Sequence, residues 1–201
     1  MSDIILNPDK GLGIPIKTTA AKDAITSPAT GALVYDSDQG VINQYTGSAW
    51  QGVLTTAGVP ASAMPAGSVV QVVQSTYAVE TTSTSTSFVA TGLSGSITPS
   101  ASTSKVMVFA RTGGMTSPNS AIYTIFRGTV SGTNLGNGSA GMALLYSGGD
   151  VRADISLCYL DSPATTSSQT YTLAMRSPSG TSVRAQENNT TAVIILMEIA
   201  G

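Results

Sequence analysis

Few side chains in this chain can do chemistry, and their spacing limits what that chemistry is. The 201 residues include no histidine and one cysteine, Cys158. Without histidine there is no Ser-His-Asp or Cys-His arrangement to activate a nucleophile, and the commonest nitrogen ligand of zinc is missing. Cys158 has no partner for an internal disulfide. It lies in Asp154-Ile-Ser-Leu-Cys-Tyr-Leu, where strand-like alternation explains it as a small core or interface residue. Carboxylate pairs are then the remaining route to hydrolysis. The candidates are Asp150 with Asp154, Asp161, Glu187 and Glu198. Asp150 follows Ser147-Gly-Gly and Asp161 precedes Ser162-Pro163, so both read as turn residues. Glu198 is expected to pair with a Lys or Arg or to face solvent. Asp36-Ser-Asp38 lacks the later bidentate Glu of a calcium loop. The glycines of 128–138 are followed by no Gly-Lys-Ser/Thr and read as hairpin loops, not a phosphate cradle. The sequence therefore predicts no catalytic residue, no metal site and no cofactor: a non-enzymatic protein.

The elements that hold these residues are strands. Apolar residues make up 41% of the chain and charged residues only 10%, against roughly 25% in an average globular protein. A disordered chain would be poor in Val, Ile and Leu and rich in net charge, whereas here the charge is −2. With 9 basic residues, 11 acidic ones and no basic cluster, nothing neutralises phosphates, so neither nucleic acid nor an anionic membrane surface is an expected partner. No apolar run approaches the roughly 20 residues of a membrane-spanning helix. Met-Ser-Asp-Ile-Ile-Leu lacks the features of a secretory signal, which predicts synthesis in a bacterial cytoplasm.

Residues 31–54 read as a β-meander: a strand at Leu33–Tyr35, a turn at 36–40, a strand at Val41–Tyr45, a turn at Thr46-Gly47, and a third strand opening at Trp50. A meander this small cannot bury its apolar side chains alone. Leu33, Val34, Tyr35, Val41, Ile42, Tyr45 and Trp50 are therefore expected at the interface of a homotrimer. The pattern G-x-L-V-Y-D-S…Y-x-G-S-A-W resembles a module of bacteriophage tail fibres and related fibre proteins, in which three chains wrap together. That resemblance implies a virion component. Residues 1–30 precede the meander as an apolar arm broken by Pro8, Pro15 and Pro28, with two helical turns predicted near Thr18–Ile25 and Thr19 as N-cap. Its Ile4, Ile5, Leu6, Leu12, Ile14 and Ile16 are too apolar for a free tail and are expected to anchor the protein to another virion protein, of capsid or tail.

Residues 55–67 carry Pro60 and Pro65 and read as a linker. From 68 to 201, eight to ten strand signals alternate with turns, which predicts a jelly-roll-like antiparallel β-sandwich and an all-β chain overall. The apolar run Val193–Met197 is expected to be central and buried on both faces. The phrases Gly67-Ser-Val-Val-Gln-Val-Val-Gln, Ser96-Ile-Thr-Pro-Ser-Ala-Ser-Thr-Ser-Lys105-Val, Leu160-Asp-Ser-Pro-Ala-Thr-Thr-Ser-Ser-Gln-Thr-Tyr171 and Met197-Glu-Ile-Ala-Gly201 resemble a C-terminal domain of phage tail fibres and receptor-binding proteins. The resemblance implies attachment to the host surface from the particle's exterior. Asn119, Asn134, Asn137, Asp150 and Arg152 are the hydrogen-bonding candidates for a host-surface glycan, although each also suits ordinary turn chemistry. Capsid decoration, as a cement or head-fibre protein, is the alternative, and a polysaccharide depolymerase the third reading.

The absence of histidine, a second cysteine and a complete calcium loop makes stability independent of bound metal. Thermal melts with and without EDTA should agree within a few degrees; a larger drop would reveal a structural cation.

Overall fold

The computed structural model describes residues 13–53 and 64–201. The chain divides into two units, Met1–Ala63 and Met64–Gly201.

In the first unit a short strand β1 (Ile16–Lys17) is followed by a helix α1 (Thr19–Asp23) and by strands β2 (Leu33–Asp36), β3 (Val41–Tyr45) and β4 (Trp50–Gly52). They form a four-stranded sheet in the order β1-β2-β3-β4, with β1 parallel to β2 and the remaining pairs antiparallel. The three-stranded meander read from the sequence is therefore extended by a strand from the arm: Tyr35 N donates to Pro15 O and Ser37 N to Lys17 O, both at 2.8 Å. Backbone pairing thus crosses the boundary drawn at residue 30. The helix cap also differs from expectation. Thr18, not Thr19, accepts from Ala21 N at 3.2 Å, while the Thr19 hydroxyl turns to Asp36. Adjacent threonines have equal capping chemistry, and the position of Asp36 decides between them.

The second unit is an antiparallel sandwich. One sheet has six strands: β5 (Val69–Tyr77), β6 (Thr81–Ser83), β8 (Lys105–Ser117), β12 (Val151–Asp161), β14 (Ser182–Ala185) and β15 (Ala192–Ile199). The other has five: β7 (Val89–Ile97), β9 (Asn119–Arg127), β10 (Thr133–Asn134), β11 (Ala143–Ser147) and β13 (Gln169–Arg176). Leu93, Val108, Tyr123, Ile125, Tyr171, Leu173, Ile194 and Leu196 fill the space between them. β8 is the hub of the larger sheet. β12 lies along one side of it, and β15 and β14 follow one another along the other. It runs six residues beyond the strand signal that ends at Arg111, through Gly113 and Gly114. A Cβ at Gly113 would fall 2.6 Å from Thr190 Oγ1, and one at Gly114 2.7 Å from Ile155 Cγ1. These glycines let neighbouring side chains approach the strand closely.

The run Val193–Met197 is central, between β5 and β8, but it is buried on one face only. Ile194 and Leu196 enter the core, whereas Val193, Ile195 and Met197 are half-buried on the other side. The strands buried on both faces are β9 and β13, where Ala121–Phe126 and Tyr171–Met175 are buried without alternation. Their outer side is covered by the chain itself. Phe88 packs edge-on to Phe126 at 5.6 Å between ring centroids, and Arg176 lies over the Phe88 ring. Arg176 also donates to the carbonyls of Thr86 and Ser139, pinning two loops across that face. Continuous apolarity in the sequence therefore marks doubly buried strands less reliably than loop coverage does.

The signals at Phe88–Ala90 and Leu93–Ile97 form a single strand, β7, joined through a bulge opposite Thr172–Ala174. Gly92 sits in the bulge at φ +89°, with a would-be Cβ 2.4 Å from the Tyr77 ring. Gly92→Ala should cost about 1–3 kcal/mol in backbone strain alone, with the ring clash in addition. Chemical denaturation should show a lowered midpoint, and an unchanged one would mean that the bulge relaxes freely.

Candidate functional site

The expected interface residues of the first unit separate by strand alternation. One face of the sheet carries Val34, Asp36, Val41 and Asn43, all buried. Here Lys22 of α1, 4% exposed, reaches the fully buried Asp36 at 3.0 Å. Asp36 also accepts from Thr19 Oγ1 at 2.8 Å and from the backbone amides of Asp38 and Gln39 at 3.0 and 3.2 Å. Burial pushes the Asp36 carboxyl up, but the hydrogen bonds from Lys22, Thr19, Gln39 and Asp38 outweigh it and hold the group below its ordinary 3.8. Asp36-Ser-Asp38 is thus a structural hub: Asp38 caps the helix backbone by accepting from Thr19 N at 2.9 Å.

Val34 and Val41, expected between chains, are buried on the face that carries the Lys22–Asp36 pair, because successive strand residues point to opposite faces. Tyr45 and Trp50 lie on this same side, with ring centroids 5.4 Å apart, and line an open cavity of about 560 Å³ with Ile25 and Pro28. The opposite face carries Leu33, Tyr35 and Ile42. The parallel register sets Ile16 beside Tyr35, so Ile16, 70% exposed, joins them. Expected as an anchoring residue, Ile16 shares a face with the expected interface residues. Ile14 is half-buried; Ile4, Ile5, Leu6 and Leu12 lie outside the described residues.

The five candidates for ligand contact do not converge. Asn134 Oδ1 accepts from Thr124 Oγ1 at 2.6 Å and from Gly136 N at 3.0 Å. Asn137 Oδ1 accepts from the amides of Ser139 and Ala140, both at 2.9 Å. These two hold the 128–142 loop in shape. Asn119 opens β9 at φ 86°, its carbonyl accepting from Thr116 Oγ1, and Asp150 accepts from Ser117 Oγ. Both serve the turns at that end of the sandwich.

Arg152 belongs to a charge cluster that sequence spacing did not show. Its Nε donates to Glu187 Oε1 at 2.7 Å, and Arg184 Nη1 lies 3.3 Å from Glu187 and 3.4 Å from Glu80. Hydrogen bonding and charge from Glu187 raise the Arg152 guanidinium further above its usual value. Gln186, Asn188 and Asn189 hold positive φ beside it, a backbone signal that no residue type announced. The cluster borders an open pocket of about 270 Å³ lined by Gly113, Gly114, Asp154, Asn188 and Thr190.

The remaining carboxylates are each engaged separately. Asp154 pairs with Arg111 at 2.7 Å on the surface. Asp161 accepts from Arg127 at 3.0 Å and from Tyr171 Oη at 2.8 Å, and burial followed by that carboxylate's influence drives the Tyr171 hydroxyl upward. Glu198 has no cation partner among the described residues and does not face solvent. It is fully buried and accepts from Gln71 Nε2 at 2.6 Å, Ser100 N at 2.7 Å and Ser100 Oγ at 2.6 Å. Among the described residues no cluster of three or more His, Cys, Asp or Glu is placed to hold a metal ion.

Residues 2–71 match the family described as the phage tail like trimerisation region. The match covers about a third of the chain and supports a phage tail- or fibre-type structural protein with a trimerisation region. No curated protein matches the chain. Among solved structures it is similar to the VP2 subviral particle of infectious bursal disease virus, at 15% identity over 91% of this chain and 48% of that one, with a TM-score of 0.41. It is also similar to the infectious bursal disease virus Gt strain, at 12% identity over 92% and 54%, with a TM-score of 0.35. The chain thus spans about half the length of these structures.

Burial pushes the Glu198 carboxyl up, but the hydrogen bonds from Ser100, Gln71 and Ser104 overcome it, so the group titrates below its ordinary 4.5. A carboxyl depressed by folding adds stability above its unfolded value and loses that contribution as pH falls through the folded value. Melting temperature should therefore be unaffected by Glu198 and Asp36 from neutrality to about pH 4.5, then fall as the pH drops below the ordinary 4.5 and 3.8 toward the lower values these groups have in the folded protein. Glu198→Gln should lower the neutral melting temperature and flatten the acid limb, as read by calorimetry at stepped pH.

Proposed function

We propose that this chain is a non-enzymatic trimeric virion surface protein, anchored to the particle by its N-terminal arm and offering its C-terminal sandwich to the host surface. The observation that carries the trimeric part of this reading is the coincidence of two findings. Residues 2–71 match a trimerisation region, and the sheet inside that region leaves one face uncovered by described residues of its own unit, with Ile16, Leu33, Tyr35 and Ile42 on it beside Gln44 and Gln51. Burying a side chain of this kind contributes about 1.5–3 kcal/mol. Three identical chains bury three such faces in one closed assembly.

The anchoring role falls to Ile4, Ile5, Leu6, Leu12 and Ile14, while Ile16 serves the trimer face. A non-enzymatic role is supported by the engagement of the candidate carboxylates: Asp154 is held by Arg111, Asp161 by Arg127, and Glu198 by Ser100 and Gln71, while Glu187 is tied to Arg152 and shares Arg184 with Glu80. Of the five residues considered for glycan contact, Asn119, Asn137, Asp150 and Arg152 are exposed and Asn134 is half-buried.

Ile42→Asp should convert a trimer into monomers in sedimentation velocity at micromolar concentration, with the strand content of the second unit unchanged by circular dichroism. A trimer unaffected by this change would place the contact elsewhere. Deleting residues 1–12 should preserve the trimer and abolish incorporation into particles, scored by electron microscopy. Particles lacking the protein should then lose adsorption to host cells; if they instead lose only shell stability, the protein is a capsid cement.

A further inference from the structure

Of the four sheet faces of the sandwich, two form the core and a third is covered by the loops that Arg176 pins. The fourth, the outer face of the six-stranded sheet, has no cover within its own unit. Strand register sets two apolar rows across it. Val72, Met197, Met107 and Leu160 form one row, and Gln74, Ile195, Phe109 and Cys158 the next. Val72 is 56% exposed, Leu160 43% and Phe109 40%. Charge is confined to the rim, with the Arg111–Asp154 ion pair beyond one row and Lys105 beyond the other. A depression of about 280 Å³ opens between Phe109, Arg111, Ser156, Val193 and Ile195. An apolar centre, a charged rim and a recess for a side chain are the anatomy of a protein interface.

We propose that this face packs against a second copy of the chain, forming the C-terminal contact of the trimer. The occupant follows from continuity. The match to a trimerisation region runs to Gln71, which is inside β5, and β5 is the edge strand that contributes Val72 to the apolar rows. The matched segment therefore ends inside this sheet, and it already includes Val69, 47% exposed and paired with Ile199 on the outer side. The chain's low charge agrees with this, because a surface closed against identical copies needs few charges for solubility. The proposal rests on the trimeric reading above.

Cys158 is the only cysteine and lies exposed within the second row, so its thiol reports on this face alone. In the intact trimer a small maleimide should react with Cys158 at least tenfold more slowly than with N-acetylcysteine in the same buffer. Ile195→Glu, at a half-buried outward position, should restore the fast rate with the strand signal retained; Val72→Lys, further toward the edge, provides the same comparison if the first variant misfolds. A wild-type trimer whose Cys158 reacts as fast as N-acetylcysteine overturns the proposal and leaves the trimer standing. A monomeric wild type overturns both. Protection that persists in both variants means that something other than a second copy covers the thiol, and this too overturns the proposal.

Discussion

A β-sheet has two faces, and strand alternation sends every second side chain to each, so a protein made of sheets must find cover for both. This constraint organises the whole molecule. In the C-terminal unit the two sheets cover each other, and the loops pinned by Arg176 cover the back of the five-stranded sheet. In the N-terminal unit, Lys22 of α1 ties the helix to one side of the small sheet. In each unit the described residues leave one face uncovered, and both of these faces carry large apolar side chains. A chain with so little charge has few means of keeping such surfaces in water as a monomer, and the match to a trimerisation region covers the unit that holds the first of them.

The polar groups inside show how a weakly charged protein tolerates buried carboxylates. Asp36 and Glu198 are both fully buried, and they solve the desolvation problem differently. Asp36 has a buried lysine together with a hydroxyl and two backbone amides. Glu198 has no cation partner among the described residues and is held by an amide side chain, a hydroxyl and a backbone N–H from the turn at Ser100. Multiple donors aimed at one carboxylate are enough to keep it ionised out of water. Both groups tie together distant parts of the chain, the helix to the meander in one case and β5, β15 and the 98–104 turn in the other. Their work is architectural, which agrees with a structural part of a virion.

The sequence by itself determined the class of element and much of its placement. Composition and alternation were sufficient for an all-β chain, for the Leu33, Val41 and Trp50 strands of the meander, and for most strands of the sandwich, because period-two patterning and turn residues are local properties. The absence of histidine and of a metal-ligand spacing was legible for the same reason. What only the tertiary structure decided was which face of each strand is covered, and by what. The unbroken apolar run Val193–Met197 suggests double burial more strongly than Tyr171-Thr-Leu-Ala-Met175 does, yet only the second has a loop laid over its outer side. Likewise, nothing in Ile16 itself says which side of the sheet it joins until the parallel pairing of β1 with β2 sets it beside Tyr35. The partners of Asp36, Glu187 and Glu198 were equally hidden, because the contacts that satisfy them join elements distant in the chain, and pairing of that kind is fixed by register and topology.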